Sequence, residues 1–422
     1  MERVVVCLDV GSTWTKGALV NGTGALLGTA QHPTTPPEVL RGIDFVREQL
    51  GEPGTEVLAC SSAGGGLRLA VVGQERLVSA EAGHRVALSA GAKVVHVSAG
   101  PLTNLRELRA ARPDLVLLVG GTDGGDQKVL LHNAERLARN RVPWPIVLSG
   151  NQDVREEARQ LLKNRTVVPT ANVLPDIGEI EPGPARAAIR DVFLQHVIGG
   201  KGLSRGPRFR TMVKTVTPDA VLTGVTRLAT QQDEAVLVVD VGGATTDVYS
   251  AVSTTDQPEQ TVGLQKDRRT VEGDLGMRWS APGVVAEAQS EKLIDKEEAA
   301  FLHEQAALRA ADVAWVPEDP AVDQRLAGLA VVLAVRRHLR LLGGRLGPKG
   351  AGLLVLSGGV FRHAESVAGG EELLRADPVL RPVLRAATVV VDRHHVLAPA
   401  GLLAATGRVD AADRLLAAHL HG

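Results

Sequence analysis

Apolar residues along the chain fall into two rhythms. Short continuous or alternating runs read as strands, and stretches with apolar residues three or four apart read as helices. The opening reads strand, hairpin, strand: Val4–Leu8, Lys16–Val20 and Ala25–Thr29, with Asn21-Gly22 and Thr23-Gly24 supplying the turn between the last two. A helix from about Pro37 to Leu50 carries Val39, Leu40, Ile43, Val46 and Leu50 on one face. A short buried strand, Val57–Ser61, leads to the glycine run Gly64-Gly65-Gly66.

From Leu67 the pattern becomes a regular β/α alternation. Candidate strands are Leu69–Val72, Lys93–Val97, Leu115–Val119, Ile146–Ser149 and Thr166–Val168, with helical stretches such as Gln127–Asn140 between the later ones. Continuous Val/Leu runs alternating with helices imply a parallel sheet covered on both faces. Beyond a Pro/Gly-rich connection, Thr217-Pro218 reads as N-cap plus first residue of a helix running to Thr230. The second half then repeats the opening order. Strand Ala235–Asp240 turns through Gly242-Gly243 into Thr246–Ala251, and a third strand lies near Thr261–Gln265 or Arg269–Glu272. Helices follow at Val284–Leu293, Lys296–Ala310 and Pro320–Leu342. Strand Gly352–Leu356, a helix near Ala364–Ala376, strand Thr388–Asp392 and a helix from Pro399 close the unit. The expected class is α/β with three parts: residues 1–66 plus 170–234, an inserted doubly wound module at 67–169, and a second half at 235–422.

Composition narrows the function. A net charge of -1 argues against a general affinity for nucleic acid or anionic membrane, and 2% aromatic residues leave few stacking platforms for single strands. The two cysteines, Cys7 and Cys60, each lie in an apolar run with no CxxC, which reads as two reduced core thiols. The sequence enters a strand at once without a basic and apolar leader, and the most apolar helix is broken by Arg336, Arg337, His338 and Arg340. A cytoplasmic protein is expected.

Two segments carry the strongest chemical signal: LDVGSTWTK (Leu8–Lys16) and VDVGGATTDV (Val239–Val248). Each is a buried strand ending in Asp, then glycine, then small hydroxyl residues entering a second strand. Such a hairpin aims backbone amides at an anion, with glycine allowing close approach and hydroxyls adding donors to phosphate oxygens. The strand-end Asp can hold Mg2+ through its waters or orient an attacking water. A third segment, LLVLSGGV (Leu353–Val360), ends a strand in Gly-Gly before a helix, where a flat adenine or ribose can lie against backbone.

In this order the three segments resemble the phosphate 1, phosphate 2 and adenosine motifs of the actin/Hsp70/hexokinase superfamily. The resemblance implies two ribonuclease H-like halves closing over ATP and Mg2+. Asp9, Gly11, Ser12 and Thr13 would form phosphate 1, with Lys16 reaching a phosphate. Asp240, Gly242, Gly243 and Thr245 would form phosphate 2, with Asp247 beside them, and Gly358 and Gly359 the adenosine motif. Asp9 and Asp240 would be the catalytic and metal-holding carboxylates. Taken with VGGTDGGD (Val119–Asp126), NVLPDIGEIEP (Asn172–Pro182) and VEGDLGMRWSA (Val271–Ala281), the chain is similar to the accessory-protein family associated with glutamate mutase, called MutL or GlmL. That likeness implies an ATPase-like protein partner of adenosylcobalamin-dependent mutase or aminomutase subunits, a chaperone or reactivating factor.

Two other readings fit the same fold. A small-molecule kinase needs a carboxylate base in the cleft, and Ser-Ala-Gly-Gly-Gly after strand Val57–Ser61 offers none. A scaffold in which nucleotide only stabilises the fold is the third. Within VEGDLGMRWSA, Glu272 and Asp274 either border the cleft or form a capping turn. Asp123 lies where parallel sheets bind ligands. Gly199-Gly200-Lys201 fails the P-loop spacing, and His394-His395 lacks metal-ligand partners and reads as a surface or core pair. The basic residues Lys201, Arg205, Arg208, Arg210 and Lys214 read as a solvated linker.

Overall fold

A computed structural model describes residues 4–51, 54–62, 67–75, 80, 82–83, 86–87, 92–177, 179–193, 208–252, 267–313, 315–344, 346–347 and 349–421. The glycine run Gly64–Gly66, the P-loop look-alike with Lys201, Arg205, and the Thr261–Gln265 strand option lie outside the described residues.

The chain opens with β1 (Val4–Val10), β2 (Trp14–Asn21), β3 (Leu26–Pro33) and β4 (Glu56–Ser61). The middle contributes β5 (Leu67–Gly73), β6 (Ala92–Ala99), β7 (Leu115–Leu118), β8 (Ile146–Leu148) and β9 (Val167–Pro169). After these come β10 (Val213–Val216), β11 (Ala235–Val241), β12 (Thr246–Ala251) and β13 (Asp267–Glu272). The last two are β14 (Ala351–Ser357) and β15 (Thr388–Val391).

They build three five-stranded sheets in the orders β10-β4-β1-β2-β3, β6-β5-β7-β8-β9 and β13-β12-β11-β14-β15. The first and third sheets have one topology. In each, an antiparallel three-strand meander is extended by two parallel strands on the side of its first strand. This is the ribonuclease H-like pair that the repeated opening order predicts. The middle sheet is wholly parallel, and its order in chain terms is 2-1-3-4-5, a doubly wound arrangement.

Strand periodicity explains how the two outer sheets meet. Alternate residues of β1 and β11 point the same way, so Val5 and Cys7 lie on the face that ends in Asp9, and Val236 and Val238 on the face that ends in Asp240. All four apolar residues join one buried core with the helices Thr217–Ala229 and Leu397–Ala405. Those helices cross at backbone contact. A Cβ on Gly401 would fall 1.8 Å from the Ala220 carbonyl oxygen, and one on Gly224 would fall 2.2 Å from that of Leu397. The apolar faces of both halves are therefore closed against each other below a pair of carboxylates.

Two element boundaries depart from expectation for visible reasons. The predicted helix Ala364–Ala376 starts later, at Ala368, and a separate single turn precedes it at Gly359–Arg362. Arg393 donates to the carbonyls of Arg362 and Ala364, acceptors that a continuous helix would use. Thr217 begins its helix without capping it, because its hydroxyl is committed elsewhere. Arg208 pairs with Asp44 and the Lys214 ammonium donates to the Thr211 carbonyl, so these two basic residues are tied to the fold. Among the described residues, no helix is long and apolar enough to cross a membrane.

Candidate functional site

The two glycine turns coincide residue for residue. Asp9 pairs with Lys16 across the first hairpin, and Asp240 pairs with Asp247 across the second, seven residues on in each case. The Gly11 amide donates to the Trp14 carbonyl at 3.0 Å, and the Gly242 amide to the Thr245 carbonyl at 2.9 Å. A Cβ at Gly11 would lie 2.7 Å from that carbonyl oxygen, too close for any other residue without a shift of the turn. Each hairpin also buries a threonine. Thr15 shares a hydroxyl bond with Thr34 at 3.1 Å, and Thr246 donates to the Leu275 carbonyl at 2.8 Å.

The segment after the third strand backs each turn. In the first half Thr34 donates through its hydroxyl to the Gly11 carbonyl and through its amide to that of Thr13. In the second half the amides of Met277 and Arg278 reach the Gly242 and Gly243 carbonyls, and the Ser280 hydroxyl reaches that of Ala244. VEGDLGMRWSA is thus the brace of the second turn. A Cβ at Gly276 would meet Ala244 backbone at 2.5 Å. Its two carboxylates share one guanidinium, Arg337, which donates to both Glu272 and Asp274 at 2.8 Å.

One cavity between the halves is lined by Asp9 and Lys16 from the first half and by Asp240, Ser357 and Asp392 from the second. Asp9 Oδ1 accepts from the Thr217 hydroxyl at 2.5 Å and, more weakly, from the Cys60 thiol at 3.7 Å. Burial raises the Asp9 carboxyl, Lys16 and the Thr217 bond pull it back, and Asp240 raises it again. Asp247 is likewise raised by burial, lowered by Arg269, and raised by Asp240. Arg269 Nε donates to Asp247 at 2.9 Å while its guanidinium lies 5.7 Å from the centre of the Tyr249 ring. The Thr245 hydroxyl donates to Asp247 at 3.2 Å.

Asp392 follows β15 as Asp9 and Asp240 end their strands. Its carboxylate accepts from the Val396 and Leu397 amides at 2.9 and 3.4 Å, and burial pushes it up to about 6. His394 and His395 line the same cavity instead of standing apart from it. Burial, with Lys16 and Arg362 nearby, holds His395 well below the usual imidazole value, and its φ of +52° keeps it in the left-handed region. Arg362 crosses the mouth, donating to Gln31 of β3 at 3.1 Å.

The third glycine pair divides its work. Gly358, at φ +116°, packs so that a Cβ would lie 2.3 Å from the Val241 carbonyl oxygen, whereas nothing lies within 4 Å of a Cβ built at Gly359. The turn is anchored on β11 on one side and open on the other. Ser12 and Thr13 occupy the exposed tip of the first turn. Asp123 belongs to a different structure. Its carboxylate accepts from the Gln152 amide and the Asn172 side chain at 2.9 and 2.8 Å, tying together the loops that follow β7, β8 and β9.

Sequence reasoning missed Thr217, Cys60, Arg269, Arg362 and Asp392 as neighbours of the site. Asp392 carried the signal already used for Asp9 and Asp240, an aspartate at the end of a buried strand. Laying the two hairpin segments over each other would have placed Lys16 opposite Asp247.

A family model described as MutL protein matches residues 5–420. Protein MutL of Clostridium tetanomorphum is 33% identical over 444 aligned positions, covering 94% of this chain and 95% of that one. Among solved structures, a nucleotide-free acetone carboxylase aligns over 95% of this chain and 70% of its own at 13% identity, with a TM-score of 0.41. A PilM–PilN type IV pilus biogenesis complex aligns over 98% of each chain at 15% identity, with a TM-score of 0.33. The assignment of the fold rests on strand order and register, not on these distant alignments.

Proposed function

The chain belongs to the MutL family, and on that premise we propose that it is an ATP-binding accessory protein of an adenosylcobalamin-dependent glutamate mutase or aminomutase, acting as a chaperone or reactivating factor. The observation that carries the nucleotide part is that the strand-end carboxylates of two register-matched glycine turns, Asp9 and Asp240, line one cavity beside Lys16.

The residues suit a triphosphate. Ser12 and Thr13 lie at an exposed turn tip, Lys16 supplies a cation, and the open side of Gly359 gives a flat ring room against backbone. Mg2+ would rest on Asp9 and Asp240, which line the same cavity, together with water and phosphate oxygens, where it would offset the phosphate charge. Asp9, fixed by Thr217, is placed to accept a proton from or orient a water molecule. The helices crossing at Gly224 and Gly401 are a close backbone contact between the halves, and closing over a nucleotide would turn each half about that crossing. A change of this kind transmitted to a bound mutase is the accessory action proposed.

The test is calorimetric titration of ATP-Mg2+ into wild type, Asp9→Ala and Asp240→Ala, with a pull-down of mutase subunits from the source cells with and without ATP. Wild type should bind ATP-Mg2+, and each variant should lose about tenfold or more in affinity, equivalent to about 1.4 kcal/mol. The mutase should be retained by wild type alone. Wild-type protein that is folded by circular dichroism yet binds no ATP would remove the proposal.

A further inference from the structure

Helix Lys296–Ala311 of the second half is turned inside out in charge. Its buried side carries Ala299, Leu302, Ala306 and Arg309, the last fully buried. Its outer side carries Phe301 and Leu308, 52% and 53% exposed and one heptad apart, with Ala300, Ala307 and Ala311 exposed around them. Past the helix end, Val316 is also exposed, at 73%. Only ten of 422 residues are Phe, Trp or Tyr, so a phenylalanine more than half exposed is an uncommon use of one.

The rotation of this helix is fixed from within. Arg309 Nε donates to Asp323 at 2.5 Å and Nη1 to the Gln305 carbonyl at 2.8 Å, and Trp315 stacks over the guanidinium at 5.2 Å. Arg278, from the brace of the second glycine turn, holds the other oxygen of Asp323 at 3.0 Å. Turning the helix to hide Phe301 and Leu308 would break a buried ion pair, which costs several kcal/mol.

Charge identifies what covers the face. Glu297 and Glu304 share the exposed stripe of Phe301 and Leu308, each four residues before one of them, and Asp312, Glu318 and Asp319 are exposed beyond it, while Lys296 and Arg309 are the only lysine and arginine between residues 296 and 319, and Arg309 is buried. A second copy meeting the same face would set carboxylates against carboxylates. Anionic lipid would be repelled for the same reason. We infer that the outer face of helix Lys296–Ala311 docks an amphipathic helix of another protein, with an apolar stripe at i, i+3/4 and i+7 flanked by lysine or arginine. The inference stands on this face alone and needs no nucleotide.

The experiment uses the full chain without nucleotide and a fluorescent amphipathic peptide of about 18 Leu and Lys residues, long enough to hold a helix on a surface. A matching peptide with Glu for Lys is the comparison, and anisotropy reads binding. The Lys peptide should bind, more weakly as salt rises, and the Glu peptide at least about tenfold less. Phe301→Glu with Leu308→Glu should weaken the Lys peptide by about tenfold or more, as should Glu304→Lys with Glu297→Lys to a smaller degree. Leu27→Glu, at an exposed site in the first half, should leave binding unchanged. Equal binding of both peptides would overturn the inference. So would undiminished binding by the Phe301/Leu308 variant, or a wild-type dimer in light scattering that this variant dissociates.

Discussion

In the first half the carboxylate that ends the central strand faces a lysine across its hairpin. In the second half the equivalent carboxylate faces another carboxylate. Backbone register, closing hydrogen bond and buried threonine are the same in both turns, so topology alone does not set the charge of either wall. Lys16 answers Asp9 directly, whereas Asp247 leaves Asp240 with a like charge and is itself balanced from behind by Arg269. Thr217 donates to Asp9, but the second half supplies Asp392 after its fifth strand, a group that caps a helix and opposes Asp240. One wall is thus arranged around a pinned carboxylate with a cation beside it, and the other around carboxylates that raise one another. Within the proposed reading, the cation of the first wall suits phosphate, and Mg2+ would rest on the strand-end carboxylates of both walls.

The comparison is broken most sharply by removing what balances the second wall. Arg269→Met leaves the half-buried Asp247 without its ion-pair partner beside Asp240, and should cost about 3 kcal/mol of unfolding free energy at pH 7. Urea denaturation measures it. Asp247→Asn in the same chain should recover most of that loss, since the uncompensated charge is then gone. A double variant as unstable as the single one would mean that Arg269 acts by packing on Tyr249, and the charge contrast between the walls would be wrong.

Much of this architecture was legible in sequence because the central strand of each outer sheet is an unbroken apolar run that ends in Asp-Val-Gly. The strand order follows from that repeat. Helix starts were read to within a few residues where a proline or an apolar stripe marked them, as at Thr217–Ala229 and Ala321–Leu341. What stayed hidden depends on residues far apart in sequence. Thr217 read as a helix cap, and only the return of β10 beside β4 brings its hydroxyl to Asp9, 208 residues away. His394 and His395 read as a surface or core pair because nothing local shows that the end of β15 opens on the cavity. Arg309 would be placed on a solvent face by composition, and Asp323 draws it inward.

Asp392 provides the next test, through pH. Its ordinary value is 3.8 and burial raises it to about 6 in the folded protein. Between these values the folded state keeps a proton that the unfolded state has lost, so this group's contribution falls as pH rises from 4 to 6 and stays low above 6. The shift corresponds to roughly 3 kcal/mol. Asp392→Asn cannot lose a proton, and an amide oxygen can still cap the helix. Relative to wild type, its unfolding free energy should therefore rise across pH 4–6 and hold steady to pH 8. A difference that does not change with pH would place the carboxylate in a more polar setting than its contacts imply.

Thr217 gives the smallest and most specific test of the first wall. Thr217→Val keeps the shape and removes the hydroxyl that donates to Asp9, leaving the carboxylate with the Cys60 thiol and the charge of Lys16. Hydrogen bonds to charged groups contribute about 1.5–3 kcal/mol, and valine's gain in burial offsets part, so a net loss of about 1–2 kcal/mol at pH 7 is expected. Asp9 should then hold its proton to higher pH, because a contact favouring the charged form is gone. The folded-state pKa, already raised by burial, moves further up, and the cost of the substitution should shrink as acid protonates Asp9 in both proteins. In an Asp9→Asn background the same substitution should cost only a few tenths of a kcal/mol. If instead it costs the full amount there, Thr217 supports its helix and not the carboxylate, and the first wall is no more pinned than the second.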